Sequence, residues 1–375
     1  MSGEVVTLYL GLISGTSADG IDVALATFRP RPRLLAGMTY PYPPDLRVAI
    51  LRVAQSDGQV SLDELGALDV LIGRAFADAA GELLQRQNVA PSNVRALGSH
   101  GQTIRHRPLQ SGAPYTLQIG DPNVIAEQSG IATVADFRRR DVAAGGHGAP
   151  LAPVFHAAML GRSTKPRVVL NLGGIANITI LSGASGEPIR GFDTGPASCL
   201  LDAWVEKHLE QPFDRDGAFA ASGRVDPTLL ARLLDEPYFT APPPKSTGRE
   251  VFHLAWLQAH LRGLVLAPRD VQATLVALSA ESIAAAIRAQ APGTREIFVC
   301  GGGVHNPVLM AAIARAVAPV PVASVASVGI DPDFVEAMTF AWLARERIER
   351  RALADVPGVT GARGARVLGG IYFGA

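Results

Sequence analysis

The chain has 375 residues with 34 Lys+Arg against 34 Asp+Glu, a formal net charge of zero, and 48% of it is hydrophobic while 18% is charged. Neutrality removes the electrostatic footprint of a nucleic-acid binder, a polybasic membrane-surface protein or a disordered polyelectrolyte. At about 150 residues per domain the length predicts two domains, each able to bury a large core.

Cys199 and Cys300 are the only cysteines, so neither a disulfide framework nor a four-ligand zinc spacing is expected, and a reducing cytoplasm is the simplest setting. The opening MSGEVVTLYLGLISG lacks the basic region of a secretory signal. The apolar stretch 271–287 contains Gln272 and Glu281 and reads as a buried helix rather than a membrane span.

In chain order, strands are predicted at 5–13 and 21–28, joined by a Gly/Ser/Asp-rich turn, with a third at 34–40. Ser61-Leu62-Asp63-Glu64 has the form of a capping box, and a helical apolar period follows to about Gln87. A short strand at 94–97 feeds the loop Gly98–Thr103. Another at 115–119 precedes a helix opening at Asp121-Pro122, and a strand at 131–135 ends before Asp136. The Gly/Pro cluster 143–153 suits a domain junction or a ligand loop. The pattern then restarts with strands at 168–172, 178–181 and 189–192 and a helix to about His208. A helix at 269–290, a strand at 296–300, and helices from Pro307 and over 334–350 follow. The order is α/β throughout, and strand, glycine-rich turn and strand recur near residues 15 and 174. Two copies of one unit would set two glycine-rich hairpins against a polyphosphate.

Three glycine loops are candidates for holding a phosphorylated ligand. Gly15, Thr16, Ser17, Ala18, Asp19, Gly20, Ile21 and Asp22 combine small residues with hydroxyl donors, and Asp19 could orient a hydrated Mg²⁺ through water. A tight hairpin needs the same residues, and the motif is neither a Walker A loop nor a dinucleotide fingerprint. Asn171, Gly173, Gly174 and Asn177 form the second loop, for which a self-capping turn is the alternative. Gly301, Gly302 and Gly303, followed by Asn306, form the third; three glycines exceed what a ligand-free turn requires.

Asp193 in GFDTGPAS ends a strand before a helix, where a carboxylate serves as general base or as helix cap; taken alone, the cap is favoured. His100, Gln102 and Thr103 occupy one post-strand loop. Asp136, Arg138 and Asp141 cluster after another strand, near the glycine loop of His147, and such groups suit sugar hydroxyls and a carboxylate substituent, or a salt-bridged surface. The segment PPPKSTGRE at 242–250 reads as an exposed linker, with Lys245 or Arg249 near a phosphate as the alternative.

In order, GLISGTSADGIDVA, GSHGQTIRH, ADFRRRDVAAGGHGAPLAP, LNLGGIANIT, GFDTGPAS, PPKSTGREVF, CGGGVHN and DPDFVEAMTFAWLA make a chain that resembles the anhydro-N-acetylmuramic acid kinases over essentially its whole length. The resemblance implies an α/β, two-lobed actin/hexokinase-like (ribonuclease H-like duplicated) fold with the nucleotide in the interlobe cleft. The expected lobes are 1–145 and 146–350, with 351–375 packing back on the first. It implies ATP and Mg²⁺ as cofactors and conversion of 1,6-anhydro-N-acetylmuramate to N-acetylmuramate 6-phosphate in cell-wall recycling. Gly15 to Asp22 then match an ATP phosphate loop, Asn171 to Asn177 a second phosphate hairpin and Gly301 to Gly303 the adenosine side. Asp193 matches the catalytic aspartate, and His100 to Thr103, Asp136 to Arg138 and Gly148 to Leu151 the sugar side.

Asp193 is expected to take a proton from water attacking C1, so that the bridge opens and O6 attacks the γ-phosphate. Departures are Ala197-Ser198 after Pro196, where the family has Gly-Asn, together with Ala18 and His147. The alternatives are a kinase of another anhydro sugar such as levoglucosan, which Arg138 would separate by holding a lactyl carboxylate, and a non-catalytic nucleotide-dependent binding protein of the actin/Hsp70 type. The expected partners are a small amino sugar and ATP, without nucleic acid or membrane; a homodimer is left open.

Overall fold

The computed structural model describes residues 6–15, 17–55, 59–161, 163–184, 187–243, 245–248 and 251–374. They divide into two units, Met1–Met159 with Phe334–Ala375, and Leu160–Asp333. In the first, β1 (Leu8–Ser14), β2 (Ile21–Thr27) and β3 (Arg33–Tyr40) form an antiparallel meander. β4 (Val94–Arg107) lies parallel to β1, β5 (Tyr115–Ile119) folds back on the far half of β4, and β6 (Thr133–Ala135) lies parallel to β4.

In the second unit, β7 (Arg167–Leu172), β8 (Ile175–Leu181) and β9 (Arg190–Pro196) repeat the meander. β10 (Glu296–Cys300) is parallel to β7 and β11 (Val322–Ser324) parallel to β10. The last strand, β12 (Gly370–Tyr372), returns to the first unit, antiparallel to β6. The sheet orders are therefore β12-β6-β4-β1-β2-β3 and β11-β10-β7-β8-β9. A meander extended by parallel strands on the side of its first strand occurs twice. This is the duplicated ribonuclease H-like architecture of the actin/hexokinase class.

Local signals explain much of this. Ser61 Oγ accepts from the N–H of Glu64 at 3.1 Å and starts the helix Leu62–Arg86, the N-cap half of the capping box. The apolar helix Pro268–Gln290 is a core element of the second unit, with Leu275, Leu278, Ile283 and Ile287 among its buried residues. The loop expected at Gly98–Thr103 is instead continuous strand. Gly101, at φ 70, lets β4 exchange β1 for β5 without breaking, because a Cβ there would stand 2.5 Å from the Ile119 carbonyl oxygen.

The lobe boundaries also differ from those expected. Residues 146–159 and 334–350 belong to the first unit, not the second. Gly11 and Gly98 face each other in the β1–β4 register, and the helix Val335–Ile348 lies directly on them. A Cβ at Gly11 would stand 1.9 Å from the Ala337 carbonyl oxygen, and one at Gly98 would stand 2.1 Å from that of Phe340. Amphipathic periodicity shows that this helix packs on a sheet but not on which one.

Candidate active site

The turn between β1 and β2 is held from outside its own motif. Arg47, on the helix Pro44–Gln55, donates from Nε to the Ala18 carbonyl at 3.1 Å and from Nη2 to the Ser17 carbonyl at 3.5 Å and to Asp19 Oδ1 at 2.9 Å. Gln102 Nε2 donates to the Gly15 carbonyl at 3.1 Å. Ala18 sits at φ 51 with its methyl fully buried, and Ile21 is likewise a core residue, so both present only backbone to the turn's open side. Asp22 accepts from Thr39 Oγ1 at 2.6 Å across the β2–β3 pair and braces the sheet. Thr16 lies outside the described residues. Gly20 is a packing glycine, because a Cβ would meet Thr39 and Tyr40; at Gly15 the nearest neighbour of a Cβ is Ser17 Oγ at 3.9 Å.

In the second unit the register sets Cys300, Asn171, Asn177 and Asp193 side by side across β10, β7, β8 and β9. Directly opposed residues on antiparallel strands share a face. A bulge beside Asn177 lets Thr194 fall out of register, so that Asp193 comes opposite Asn177. Thr247 N–H donates to Asp193 Oδ2 at 3.1 Å, and Tyr238 Oη donates to the Asp193 carbonyl at 2.7 Å. Asp193 N–H donates to the Lys245 carbonyl at 3.3 Å. Lys245 Nζ donates to the Tyr238 and Phe239 carbonyls at 2.9 and 3.1 Å and lies over the Tyr238 ring, and burial lowers its pKa. The segment expected as an exposed linker is therefore packed on Asp193, and the Lys245 ammonium holds that packing. Pro244, Arg249 and Glu250 lie outside the described residues.

The cap reading of Asp193 does not hold, because Ala197 is the residue that precedes the helix Ser198–Leu209. The N–H groups of Ala197 and Cys199 donate to the Gly174 carbonyl, and that of Ser198 donates to Gly173. Ala197 sits at φ −120 and ψ −101 with its methyl in the core of the unit. A Cβ at Gly173 or Gly174 would meet nothing nearer than 3.5 Å.

The third loop corrects the expectation. Gly301 sits at φ 83, with a Cβ 2.5 Å from Asn171 Oδ1, and a Cβ on Gly303 would stand 2.6 Å from Leu172 Cβ. Packing alone requires both; only Gly302 faces open space. Asn306 Oδ1 caps the helix Pro307–Ala316, accepting from Val308 and Leu309 N–H at 3.1 and 3.0 Å.

Three of the sugar-side candidates of the first unit, His100, Arg138 and Gly148, form one hydrogen-bonded group. Arg138 donates from Nε to His100 Nε2 at 2.9 Å and from Nη1 to the Gly148 carbonyl at 2.7 Å. His100 Nδ1 lies 2.9 Å from the Gly101 carbonyl, so the ring is neutral with its proton on Nδ1. Burial, reinforced by the Arg138 charge, holds His100 well below the usual imidazole range, and burial lowers Arg138 to about 10. Asp141 accepts from Gly148 N–H at 2.7 Å and from Thr360 Oγ1 at 2.8 Å, and burial raises its pKa. Arg138, expected to take a substrate carboxylate, is thus the brace of the Gly148–Pro150 loop. Thr103 Oγ1 accepts from Gln118 at 3.2 Å. Asp136, at φ 60, pairs with Arg139 at 3.4 Å, and burial raises its pKa. A separate groove of about 570 Å³, lined by Tyr40, Asp78, Glu82, Arg86 and Gln128, contains none of these groups.

The family model of the anhydro-N-acetylmuramic acid kinases matches residues 7–374. The chain belongs to that family. A relative named anhydro-N-acetylmuramic acid kinase from Xanthomonas campestris pv. campestris is 55% identical over 369 residues, covering 97% of each chain. Another of that name from Pseudomonas paraeruginosa is 50% identical over 373 residues, covering 98% of this chain and 99% of its own. Among solved structures, a ROK family glucokinase from Streptomyces griseus in complex with glucose and AMPPNP covers 90% of this chain and 99% of its own, at 13% identity and TM-score 0.42. At that distance it assigns no residue here. In this member of the anhydro-N-acetylmuramic acid kinase family, Asp193 stands in a row with Asn177 and Asn171. Arg47, Tyr238, Thr247 and Thr360 complete the surroundings of these groups. Of the four, only Thr247 lay in a motif marked by the sequence, while Thr360 lies in the segment 351–375 expected to pack back on the first lobe.

Proposed function

We propose that the chain uses ATP to convert 1,6-anhydro-N-acetylmuramate and water to N-acetylmuramate 6-phosphate and ADP, a cytoplasmic step of cell-wall recycling. The observation that carries the reading is Asp193: a single carboxylate, in register with Asn177 and held through Oδ2 by the Thr247 N–H, in a chain of the anhydro-N-acetylmuramic acid kinase family. In the anhydro sugar O6 is tied to C1, so no free hydroxyl is there to be phosphorylated. Asp193 takes a proton from water as that oxygen bonds to C1, and the C1–O6 bond breaks. O6 then attacks the γ-phosphorus, ADP leaves, and Asp193 returns its proton to solvent.

Four glycines support nucleotide roles for the three loops. Gly15, Gly173, Gly174 and Gly302 have room for a methyl and no left-handed backbone, so the fold does not need glycine there, whereas a close ligand does. Gly66, Gly81 and Gly293 are equally open but lie on a helix surface and a tight turn away from these loops. The turn Gly15–Asp19 and the turn Gly173–Gly174 take the phosphates, and Gly302 the adenosine. His100, Asp136 and the Gly148–Pro150 loop face the sugar.

Among the described residues no group of three or more His, Cys, Asp or Glu is placed to hold a metal. The exposed carboxylate of Asp19 fits an ion that keeps its water and phosphate ligands, as Mg²⁺ does, and Asp19 would meet that ion through water. Bound there, Mg²⁺ would neutralise phosphate charge.

The test is product analysis after turnover in oxygen-18 water. Label on C1 together with phosphate on O6 is the expected result. Phosphate transfer without label at C1, or ATP hydrolysis that leaves the sugar intact, would overturn the reading.

A further inference from the structure

We propose that Arg47 and Gln102 are positioning residues that aim the β1–β2 turn at an anionic ligand by taking its carbonyl oxygens out of the ligand's way. The proposal rests on the reading of that turn as a phosphate loop and names residues outside its motif.

A turn binds phosphate only if its N–H groups, and not its carbonyls, face the anion. In a trans peptide the C=O and the following N–H point in opposite directions. Tying down a carbonyl therefore turns the next N–H the other way. Three carbonyls of this turn are tied down: Gly15 by Gln102 together with the turn's own Ala18 N–H, each at 3.1 Å, and Ser17 and Ala18 by Arg47. The bond to the Ala18 carbonyl sends the Asp19 N–H away from Arg47 and holds Ala18 in the left-handed conformation that an alanine rarely takes. The same guanidinium also lies 2.9 Å from Asp19 Oδ1, offsetting a carboxylate charge that would repel a phosphate.

Gln102 shows what the arrangement costs. It is fully buried, and its Nε2 lies 3.1 Å from the Gly15 carbonyl and 3.4 Å from that of Thr103. Both neighbours are acceptors, so the amide nitrogen must face them, and Oε1 is left buried with no hydrogen-bond partner among the described residues. A glutamine serving only the packing of β4 would be better replaced by an apolar side chain, because an orphaned buried acceptor destabilises. What the glutamine provides is a second donor to Gly15, from outside the turn and beside the Ala18 N–H. Its place in the sequence put Gln102 on the sugar side; its contacts put its effect on the nucleotide side.

The experiment measures ADP binding by titration calorimetry in magnesium buffer, KM for the sugar, and thermal stability, for the full chain and for Gln102→Met, Arg47→Gln and Arg47→Lys. Gln102→Met removes the donor and the orphaned acceptor together, so stability is expected to hold or rise while ADP affinity falls about tenfold, as for loss of one donor that aims a charge-binding turn. Arg47→Gln, on a partly exposed helix, is expected to weaken ADP by a similar factor, with Arg47→Lys between it and the parent, and sugar KM within about twofold throughout. Unchanged ADP affinity in both Gln102→Met and Arg47→Gln would overturn the proposal, as would a rise in sugar KM with ADP binding intact. If the parent chain itself binds no ADP, the nucleotide reading fails first. If Gln102→Met does not fold, Arg47→Gln decides alone.

Discussion

Arg138 holds His100: its Nε donates to the histidine Nε2 at 2.9 Å, while its Nη1 reaches past the ring to the Gly148 carbonyl. One guanidinium thereby fixes both the tautomer of a buried imidazole and the position of a loop ten residues further along. Arg138→Met would leave two acceptors without their donor at about 1–3 kcal/mol each, so a clear loss of stability is expected in urea or thermal melts. If Arg138 instead served only to bind a substrate carboxylate, the variant would keep its melting temperature and show a raised sugar KM alone. The two measurements on one variant separate the roles.

Gly98 offers a cleaner test of the fold. Its missing Cβ is the space in which the backbone of the helix Val335–Ile348 lies, with the Phe340 carbonyl oxygen 2.1 Å from where a methyl would be. A helix backbone does not yield as a flexible side chain would, so Gly98→Ala should cost at least the 1–3 kcal/mol typical of overpacking. Gly66, on the helix Leu62–Arg86, has nothing within 4 Å of where its methyl would stand, so Gly66→Ala is the control. It should be neutral or stabilising, by up to about 1 kcal/mol. Equal melting temperatures for the two variants would remove the account of why this helix joins the first unit.

These cases also mark what was legible in the letters. Ser61-Glu64, the strand at 115–119 and the strand at 296–300 could be placed because their signals are local: a cap, an alternation, an apolar run. The destination of the helix Val335–Ile348 was not legible, since what selects its sheet is a pair of glycines more than two hundred residues away. Among the candidate residues, Asp193 stood out by its motif, but its surroundings did not. Tyr238 and Arg47 touch their targets only after the chain has folded, and neither sits in a pattern that a single sequence exposes. The glycine run at 301–303 misled for the opposite reason. Two of its members answer to Asn171 and Leu172 in the adjacent strand, and a count of glycines cannot tell a packing requirement from a ligand requirement.

Buried neutral histidines predict the acid response of the fold. Burial lowers His100 well below its ordinary value, His106 to about 4 and His156 to about 3. Unfolding returns each to about 6.5, where it binds a proton the native state refuses, so stability rises with pH between about 4 and 6.5 and is lost as pH falls through that window. The raised pKa values of Asp136 and Asp141 act in the opposite sense, because these carboxyls hold protons in the native state that the unfolded chain releases. Urea midpoints at pH 5 and pH 7 should show the chain weaker at pH 5, with net proton uptake on unfolding in calorimetry. Replacing His156 by Gln should flatten the slope; a slope unchanged by that substitution would mean the histidine is not titrating as its burial requires.

Lys245 tests whether the segment packed on Asp193 matters for turnover. Its ammonium ties the Tyr238 and Phe239 carbonyls, and Tyr238 in turn reaches the Asp193 backbone. Lys245→Met keeps the aliphatic stem and removes the donors, so kcat should fall while ADP affinity stays near that of the parent. If Lys245 were a phosphate ligand, the alternative to the linker reading, the loss would appear in ADP affinity instead.

Asp193→Asn isolates the carboxylate itself. The amide keeps an oxygen for the Thr247 N–H, which now meets Oδ2 at 3.1 Å, and it fills the same volume beside Asn177, so fold and ligand binding should be preserved. What it removes is the ability to accept a proton from water. A positioned general base is worth about 10²–10⁴-fold, and here it also initiates the bond cleavage that frees O6, so both products should fall by at least that factor together. ADP affinity and sugar binding by calorimetry should match the parent within about twofold, a margin set by the isosteric change rather than by lost charge pairing. The ratio of sugar phosphate to ADP carries the mechanistic information. If bridge opening and phosphoryl transfer share this base, the ratio stays at one as the rate falls. ADP formed without sugar phosphate would mean that Asp193 restrains ATP hydrolysis rather than driving the sugar chemistry, and near-parental rates would remove it from the reaction.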